Sequence, residues 1–487
     1  MLREPAVSWT AFPQPKGINM RIETDFIGGR EIPDDVYYGV QTLRGKDNFV
    51  ITGVAMSAEP YLVTALAHVK KACAMANRDV GLLDPRIADA IIKACERLIA
   101  GEFVDQFVID FIQGGAGTST NMNANEVIAN IALEMLGHKK GEYQHVSPND
   151  HVNLSQSTND VYPTALRLAL ILRLKSYIEA LAALQQGFFA KAKEFQTVLK
   201  MGRTHLQDAV PMALGDEFHG FGTTIGEEIQ RIRESIALLT ETNLGATAIG
   251  TSVNAPEGYP QLATRHLAQI TGVDFTLATD LVEATSDTGV FVQLSGVLKR
   301  TAVKLTKICN DLRLLASGPR CGLNEINLPQ LQPGSSIMPG KVNPVIPEVV
   351  NQTAFLVIGL DLTVTLAASA GQLQLNVMEP VIAFGLFFSI FSMENAVNTL
   401  REKCVVGITA NAERTRDMVM NSTSIVTLLN PVIGYKRAAE IAREAHESGK
   451  SIHDIAVAER KLVTQQQWDR LYSFDNLIKP HYVAGDR

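Results

Sequence analysis

The sequence predicts an all-α, mainly helical protein built around a bundle of long helices, and three features lead there. Aromatic residues make up only 6% of the chain against 46% hydrophobic residues overall, a mixture poor in the clusters that mark sheet proteins. From Tyr162 onward, long stretches without proline carry apolar residues three and four apart, the spacing of one helix face. The third feature is length, because 487 residues call for two or three domains rather than one core.

Taken in order, residues 1–20 read as an N-terminal extension, expected to be disordered, with Met20 as an alternative start. They lack the apolar stretch and cleavage site of a signal peptide. Residues 21–154 form a helical N-terminal domain interrupted by loop signals at Gly28–Pro33 and Gln113–Asn123. Residues 155–407 form the central bundle of five or so long helices. Its clearest stripe is Phe218, Phe221, Ile225, Ile229, Ile232, Ile236 and Leu239, close to a coiled-coil heptad and expected to face a partner helix, with a long apolar face left exposed on a monomer. Further long segments run over Ser286–Leu315, Val349–Ala370 and Phe384–Cys404. After Gly407 shorter segments with polar breaks mark a small helical C-terminal domain, residues 408–487.

Composition excludes several functions. A net charge of −7 and a pI near 5.9 speak against a nucleic-acid partner, which needs clustered excess cations. Cys73, Cys95, Cys309, Cys321 and Cys404 show no CxxC or finger spacing and read as reduced cytosolic thiols, hence a cytoplasmic protein. The apolar run Val381–Phe391 is too short to cross a bilayer, so no membrane segment is expected.

Four polar segments interrupt the helices: GAGTSTNMN (115–123), SQSTND (155–160), GRTHLQD (202–208) and PGSSIMPGKVNP (333–344). They hold no metal-ligand spacing, no P-loop and no dinucleotide fingerprint, so neither a metal nor an organic cofactor is expected there. Their hydroxyls, amides and cations suit small carboxylates. In the last segment Gly334, Pro339 and Gly340 shape a loop presenting Ser335, Ser336 and Lys341. Taken alone, such a stretch is more often a surface turn with a solvated lysine. The plain alternative for Thr118, Ser157 and Thr204 is helix capping, and for His205 a satisfied buried histidine bonded to Glu348. His138, His145, His151 and His219 show no spacing that demands a metal.

GSSIMPGKVNP, together with GAGTSTNMNANEV, NDHVNLSQSTND, MGRTHLQDAVP and GLNEINLP in that order, resembles the fumarase/aspartase superfamily from about Arg21 to the C-terminus. GTSTNMN, SQSTND and KVNPVIPEVVNQ are similar to the aspartase branch, where fumarases typically read GTQSNMN, SQSSND and KVNP followed by TQCE. The resemblance implies a three-domain subunit with a central long-helix bundle. It also implies a homotetramer whose active sites each draw segments from three chains. The implied reaction eliminates ammonia from L-aspartate to give fumarate, without an organic cofactor. Ser335 is then the acceptor of the Cβ proton. Thr118, Ser157, Thr158 and Ser336 hold the β-carboxylate, while Thr204, Lys341 and Asn343 hold the α-carboxylate. Asn159 and His205, with help from Thr118, meet the amino group. His205 and Glu348 keep a fumarase reading open, since fumarases use that pair on water, and a non-catalytic structural relative is the third reading.

Overall fold

The computed structural model describes residues 19–479, so most of the expected N-terminal extension lies outside the described residues. Asn19 and Met20 belong to the folded part: Asn19 O accepts from Asp34 N–H at 2.8 Å, and Met20 pairs with Pro33. Hairpin β1 (Met20–Asp25) and β2 (Gly28–Pro33) precedes α1 (Val40–Asn48), α2 (Pro60–Asp79), α3 (Pro85–Ile99) and α4 (Thr118–Met135). Next come α5 (Thr158–Glu194), hairpin β3 (Leu199–Thr204) and β4 (Gln207–Ala213), α6 (Leu214–Leu238), α7 (Tyr259–Thr271), α8 (Leu281–Ser286) and α9 (Gly289–Leu315). The chain continues through α10 (Val345–Ser369), α11 (Glu379–Lys403), α12 (Ala412–Asn421), α13 (Asn430–Ile433), α14 (Tyr435–Ser448), α15 (Gln465–Leu471) and α16 (Phe474–Ile478). The predicted mainly helical class is what the structure shows. Strands are confined to two-stranded pairs.

The chain divides into two compact units. One takes the residues up to Leu174, then Ser235–Ser295 and Leu360–Phe388; the other takes Lys175–Glu234, Gly296–Gly359 and Ser389 onward. In the first, α3 starts at Pro85 behind Asp84, whose carboxylate accepts from Arg86 and Ile87 N–H, an N-cap with proline at the first helical position. Helix α5 contains Pro163, which has no N–H to return to the carbonyl of Asn159. The Asn243 side chain supplies the missing donor, 3.0 Å from Asn159 O. The helix therefore continues across the proline.

In the second unit the stripe on α6 is buried within the chain: Phe218, Ile225 and Ile232 are fully covered, and Phe221 and Ile229 nearly so. Its partner is α5, whose Phe188 ring lies 6.3 Å from Phe218 and 5.6 Å from Phe221, with Phe195, just past the end of α5, 5.2 Å from Phe218. Gly222 and Gly226 let the two helices approach, since a Cβ there would meet the Phe189 ring at 2.5 Å and Gln185 Nε2 at 2.2 Å. The expectation that this stripe is the face left exposed on a monomer is corrected; exposed apolar side chains sit instead on α10, at Phe355, Leu362 and Leu366. Helix α9 joins α6 through buried Glu228, which meets Lys304 at 2.7 Å and Arg300 at 3.1 Å. Asn351 on α10 bonds Asn310 on α9, and Ser176 on α5 bonds Glu394 on α11. The apolar run Val381–Phe391 is part of the 25-residue α11. Helices α10 and α11 reach the length and apolar composition of a membrane span, a test that core helices also pass, and 61% of the apolar window of α11 is buried within the chain. Both also carry buried polar contacts, such as Asp361 with Ser295 at 2.8 Å in the first unit.

A further core gathers Val419, Ile425, Leu429, Ile441, Ile455, Trp468 and Leu477 around Leu199 and Met201 of β3. This core anchors the β3–β4 hairpin. Four cysteines are buried, and Cys321 is exposed.

Candidate active site

The predicted site residues fall into three groups. The first is built where α4 and α5 begin. Thr118 opens α4 behind Gly117, a left-handed N-cap at φ 87°; its Oγ1 donates to Gly115 O at 2.7 Å, so Thr118 does not cap the helix. Ser157 does cap, because its Oγ accepts from Asn159 N–H at 3.2 Å. Asn121 ties the two helix starts together, donating to Thr158 Oγ1 at 3.0 Å and to Asn153 Oδ1 at 3.1 Å. Asn159 donates through Nδ2 to Ala248 O at 2.8 Å.

Beneath this group lies a buried charged layer. Lys70 is completely covered, and its ammonium donates to Asn153 Oδ1 and Gln156 Oε1 at 3.0 and 2.9 Å. Burial pushes it down to about 8. Asp160, also fully covered, accepts from the N–H groups of Ser157, Gly245 and Thr247 at 3.1, 3.1 and 2.9 Å. Burial outweighs those donors and pushes its carboxyl up to about 6. These residues position Ser157–Asn159, and the sequence reading assigned no role to Lys70 or Asp160. A signal for Lys70 was present: it stands four residues after Leu66 and three before Cys73 on the apolar face of α2, where a solvated lysine does not belong.

The second group is the loop 333–344. Gly334 N–H donates to Lys341 O at 2.7 Å, and Asn343 Nδ2 donates to Gly334 O at 2.8 Å. A Cβ at residue 334 would stand 2.8 Å from both Lys341 O and Asn343 N, which is why a glycine is needed. Ser335 Oγ accepts from the N–H groups of Ile337 and Met338 at 3.2 and 3.1 Å. Two convergent backbone donors of this kind favour negative charge on the oxygen. Ser336 and Lys341 are exposed. Lys341 and Asn343 line a cavity of about 530 Å³ with Arg313, Asn324, Asn327 and Glu348.

The third group sits at the tip of the β3–β4 hairpin. Thr204 pairs with Gln207, and His205 and Leu206 make the turn at φ 55° and 61°, the two left-handed residues of a type I′ turn. For non-glycine residues this costs about 1–2 kcal/mol each, a strain of the kind that gathers at functional sites. Thr204 therefore ends a strand and starts no helix. His205 is exposed rather than buried against Glu348, whose carboxylate lies 3.8 Å from Arg313. In the first unit Asn121 ties the start of α4, which Thr118 opens, to Thr158 beside Ser157 and Asn159, and in the second Gly334 ties Lys341 and Asn343 to the neighbouring Ser335 and Ser336.

The helical scaffold thus carries hydroxyl- and amide-rich loops, a serine oxygen facing two backbone N–H groups and an exposed lysine, and comparison with known families gives the class of protein: a lyase. A family model described as Lyase matches residues 28–359, and one described as Fumarase C C-terminus matches residues 425–479. The chain belongs to this lyase family, the fumarase/aspartase superfamily. The aspartate ammonia-lyases of Pseudomonas aeruginosa and Helicobacter pylori are 59% and 56% identical to it, each over 95% of this chain and 98% of the relative. That of Escherichia coli K12 is 55% identical over 96% and 98%. A solved structure of fumarate lyase:delta crystallin from Brucella melitensis bound to cobalt is similar with a TM-score of 0.92 and 52% identity, covering 95% of this chain and 100% of that one. Class II fumarase from Schistosoma mansoni gives 0.90 at 34% identity with the same coverage.

Proposed function

We propose that this chain is an aspartate ammonia-lyase, converting L-aspartate reversibly to fumarate and ammonia. The observation that carries the reading is identity of 55–59% to aspartate ammonia-lyases across 95–96% of the chain. Ser335, held as an alkoxide acceptor by the N–H groups of Ile337 and Met338, takes a proton from Cβ. The electron pair left behind spreads into the β-carboxylate as an aci-carboxylate, which Thr118, Ser157, Thr158 and Ser336 stabilise as fixed donors. That pair then forms the carbon–carbon double bond as the Cα–N bond breaks, and nitrogen leaves with the bonding electrons as ammonia. Thr204, Lys341 and Asn343 hold the α-carboxylate, and Asn159, His205 and Thr118 meet the amino group.

The working protein in this reading is a cytoplasmic homotetramer with sites shared between subunits. The exposed side chains of Phe355, Leu362 and Leu366 on α10 support it, being a face that further copies would cover. Division into domains at 21–154, 155–407 and 408–487 is part of the same proposal, supported at its C-terminal end by the core around Ile441 and Trp468, to which the rest of the chain adds only Leu199 and Met201 of β3 among the buried residues. Fumarate hydration is the second reading, favoured by His205 in GRTHLQD. Fumarate absorbance with L-aspartate and with L-malate separates the two. Aspartate is expected to be strongly preferred, and faster turnover of malate overturns the proposal. Light scattering is expected to give four chains, and a fully active monomer refutes shared sites.

A further inference from the structure

Helix α4 ends in a turn that carries three metal-ligating side chains outside the site described above. Gly137, at φ 85°, takes the left-handed position after the helix, and His138 N–H returns to Leu133 O at 2.9 Å, the closure expected of a Schellman cap. Glu142 then folds the chain back. Its N–H donates to Lys139 O at 3.2 Å, its carbonyl accepts from His145 N–H at 3.0 Å, and its Oε2 accepts from Lys139 N–H at 3.0 Å. The outcome is that His138 Nδ1 lies 3.7 Å from Glu142 Oε2, while the His138 and His145 rings stack at 3.7 Å with 8° between their planes. One ligand atom from each of the three residues lies within 4.8 Å of the other two.

We propose that His138, Glu142 and His145 form a surface site for one divalent transition ion of the zinc type, with water completing the coordination. Two imidazoles and a carboxylate are a borderline donor set that Zn²⁺ and its neighbours prefer, whereas Mg²⁺ and Ca²⁺ demand oxygen alone. Zinc bonds of about 2.0–2.2 Å place tetrahedral ligand atoms roughly 3.3 Å apart. The widest ligand pair, up to 4.8 Å apart, must therefore tighten by up to about 1.5 Å to reach that spacing, and one ring must turn out of the stack, because each nitrogen lone pair lies in its ring plane. His145 is exposed and the other two are half-buried, so the rotation meets no packed core. The carboxylate is already oriented by Lys139 N–H, the kind of outer contact that fixes a ligand. The turn is itself anchored, with Gly141 N–H on Asn130 Oδ1 at 2.8 Å and Tyr143 OH on Glu23 Oε2 at 3.0 Å. A bound ion would staple His145 to the end of α4 and raise stability by mass action.

The test is calorimetric titration of the untagged, metal-stripped full chain with Zn²⁺, and with Mg²⁺ in parallel. One Zn²⁺ per chain is expected, with a rise in melting temperature and no comparable Mg²⁺ isotherm. The double variant His138→Asn/His145→Asn is expected to lose that site, weakening zinc at least about tenfold, as ligand-shell changes do, while His453→Asn leaves it intact. Unchanged stoichiometry and affinity in the double variant, or equal binding of Mg²⁺, overturns the proposal. Should the variants misfold by circular dichroism, Co²⁺ absorption of the parent decides: intense four- or five-coordinate bands support the site, and a weak six-coordinate spectrum refutes it.

Discussion

The start of α5 and the loop 333–344 carry hydroxyls proposed to meet one substrate, yet they are held in opposite ways. Ser157, Thr158 and Asn159 rest on a layer of fully covered groups, Lys70 and Asp160 among them, tied through Asn121, Asn153 and Gln156. Ser335 is held by the next few backbone N–H groups of its own loop, and Ser336, Ile337, Met338 and Lys341 around it are exposed. A buried polar layer fixes geometry at the expense of desolvation and must be fully paired to do so. A loop closed by its own backbone is cheap to build and easy to rearrange. The segment at the start of α5 is thus held by distant partners, and the loop 333–344 by its own backbone.

Substitutions on the two sides of this contrast are expected to fail differently. Ser335→Ala has the largest effect, lowering turnover by about 10² to 10⁴, the range for a lost general base. A competitive dicarboxylate still binds and the melting temperature is unchanged, because the freed N–H groups of exposed Ile337 and Met338 turn to water. Activity within about tenfold of the parent rules Ser335 out as the base. Lys341→Ala comes next: loss of the cation from a substrate carboxylate costs roughly 2–5 kcal/mol, read as a higher KM with little change in stability. An unchanged KM removes the proposed role.

On the buried side the losses are in folding. Asn121→Ala takes the amide donor from Thr158 Oγ1 and one of three donors from Asn153 Oδ1, which keeps Lys70 and Asn125, and is expected to cost about 1–3 kcal/mol in urea unfolding, the range for a buried group left unpaired. A midpoint equal to the parent's would show that the layer does not hold the segment. The same buried layer also sets a pH trend. Asp160 is pushed up from 3.8 to about 6 by burial, so between those values the folded chain keeps a proton that the unfolded chain has released. Its contribution is present below 3.8 and lost as pH rises through about 6. The difference in stability between the parent and Asp160→Asn should therefore shift against the parent over that interval and level off above it. A difference that does not vary with pH contradicts the assignment.

Much of this was legible in the sequence because periodicity and loop composition are local. The helical class, the α6 stripe and the four polar segments all follow from neighbours in the chain. What the α6 stripe packs against did not follow, since Phe188 arrives from α5 and Phe195 from the residue just after it, and no local signal says that the partner is internal. Ser335 and Lys341 were legible as residue types, but the pairing of Ser335 Oγ with two backbone N–H groups depends on how the loop turns. Lys70, Asn121 and Asp160 were missed as positioning residues for a related reason: each does its work through a partner about 30 to 90 positions away, such as Asn153, Thr158 or Thr247.

Asn159 shows what such long-range pairing does to the character of a side chain. Its backbone carbonyl accepts from Asn243, and one hydrogen of its side-chain amide goes to Ala248 O, so turning the amide over would break the bond to Ala248, a segment far along the chain. The orientation of an otherwise symmetric-looking amide is thereby given a polarity. Its Oδ1 is presented as the acceptor end, which suits a cationic ammonium and repels a carboxylate. A residue able to read either group is made to read one, and the proposed site acquires a head and a tail for a substrate whose two ends are both acids.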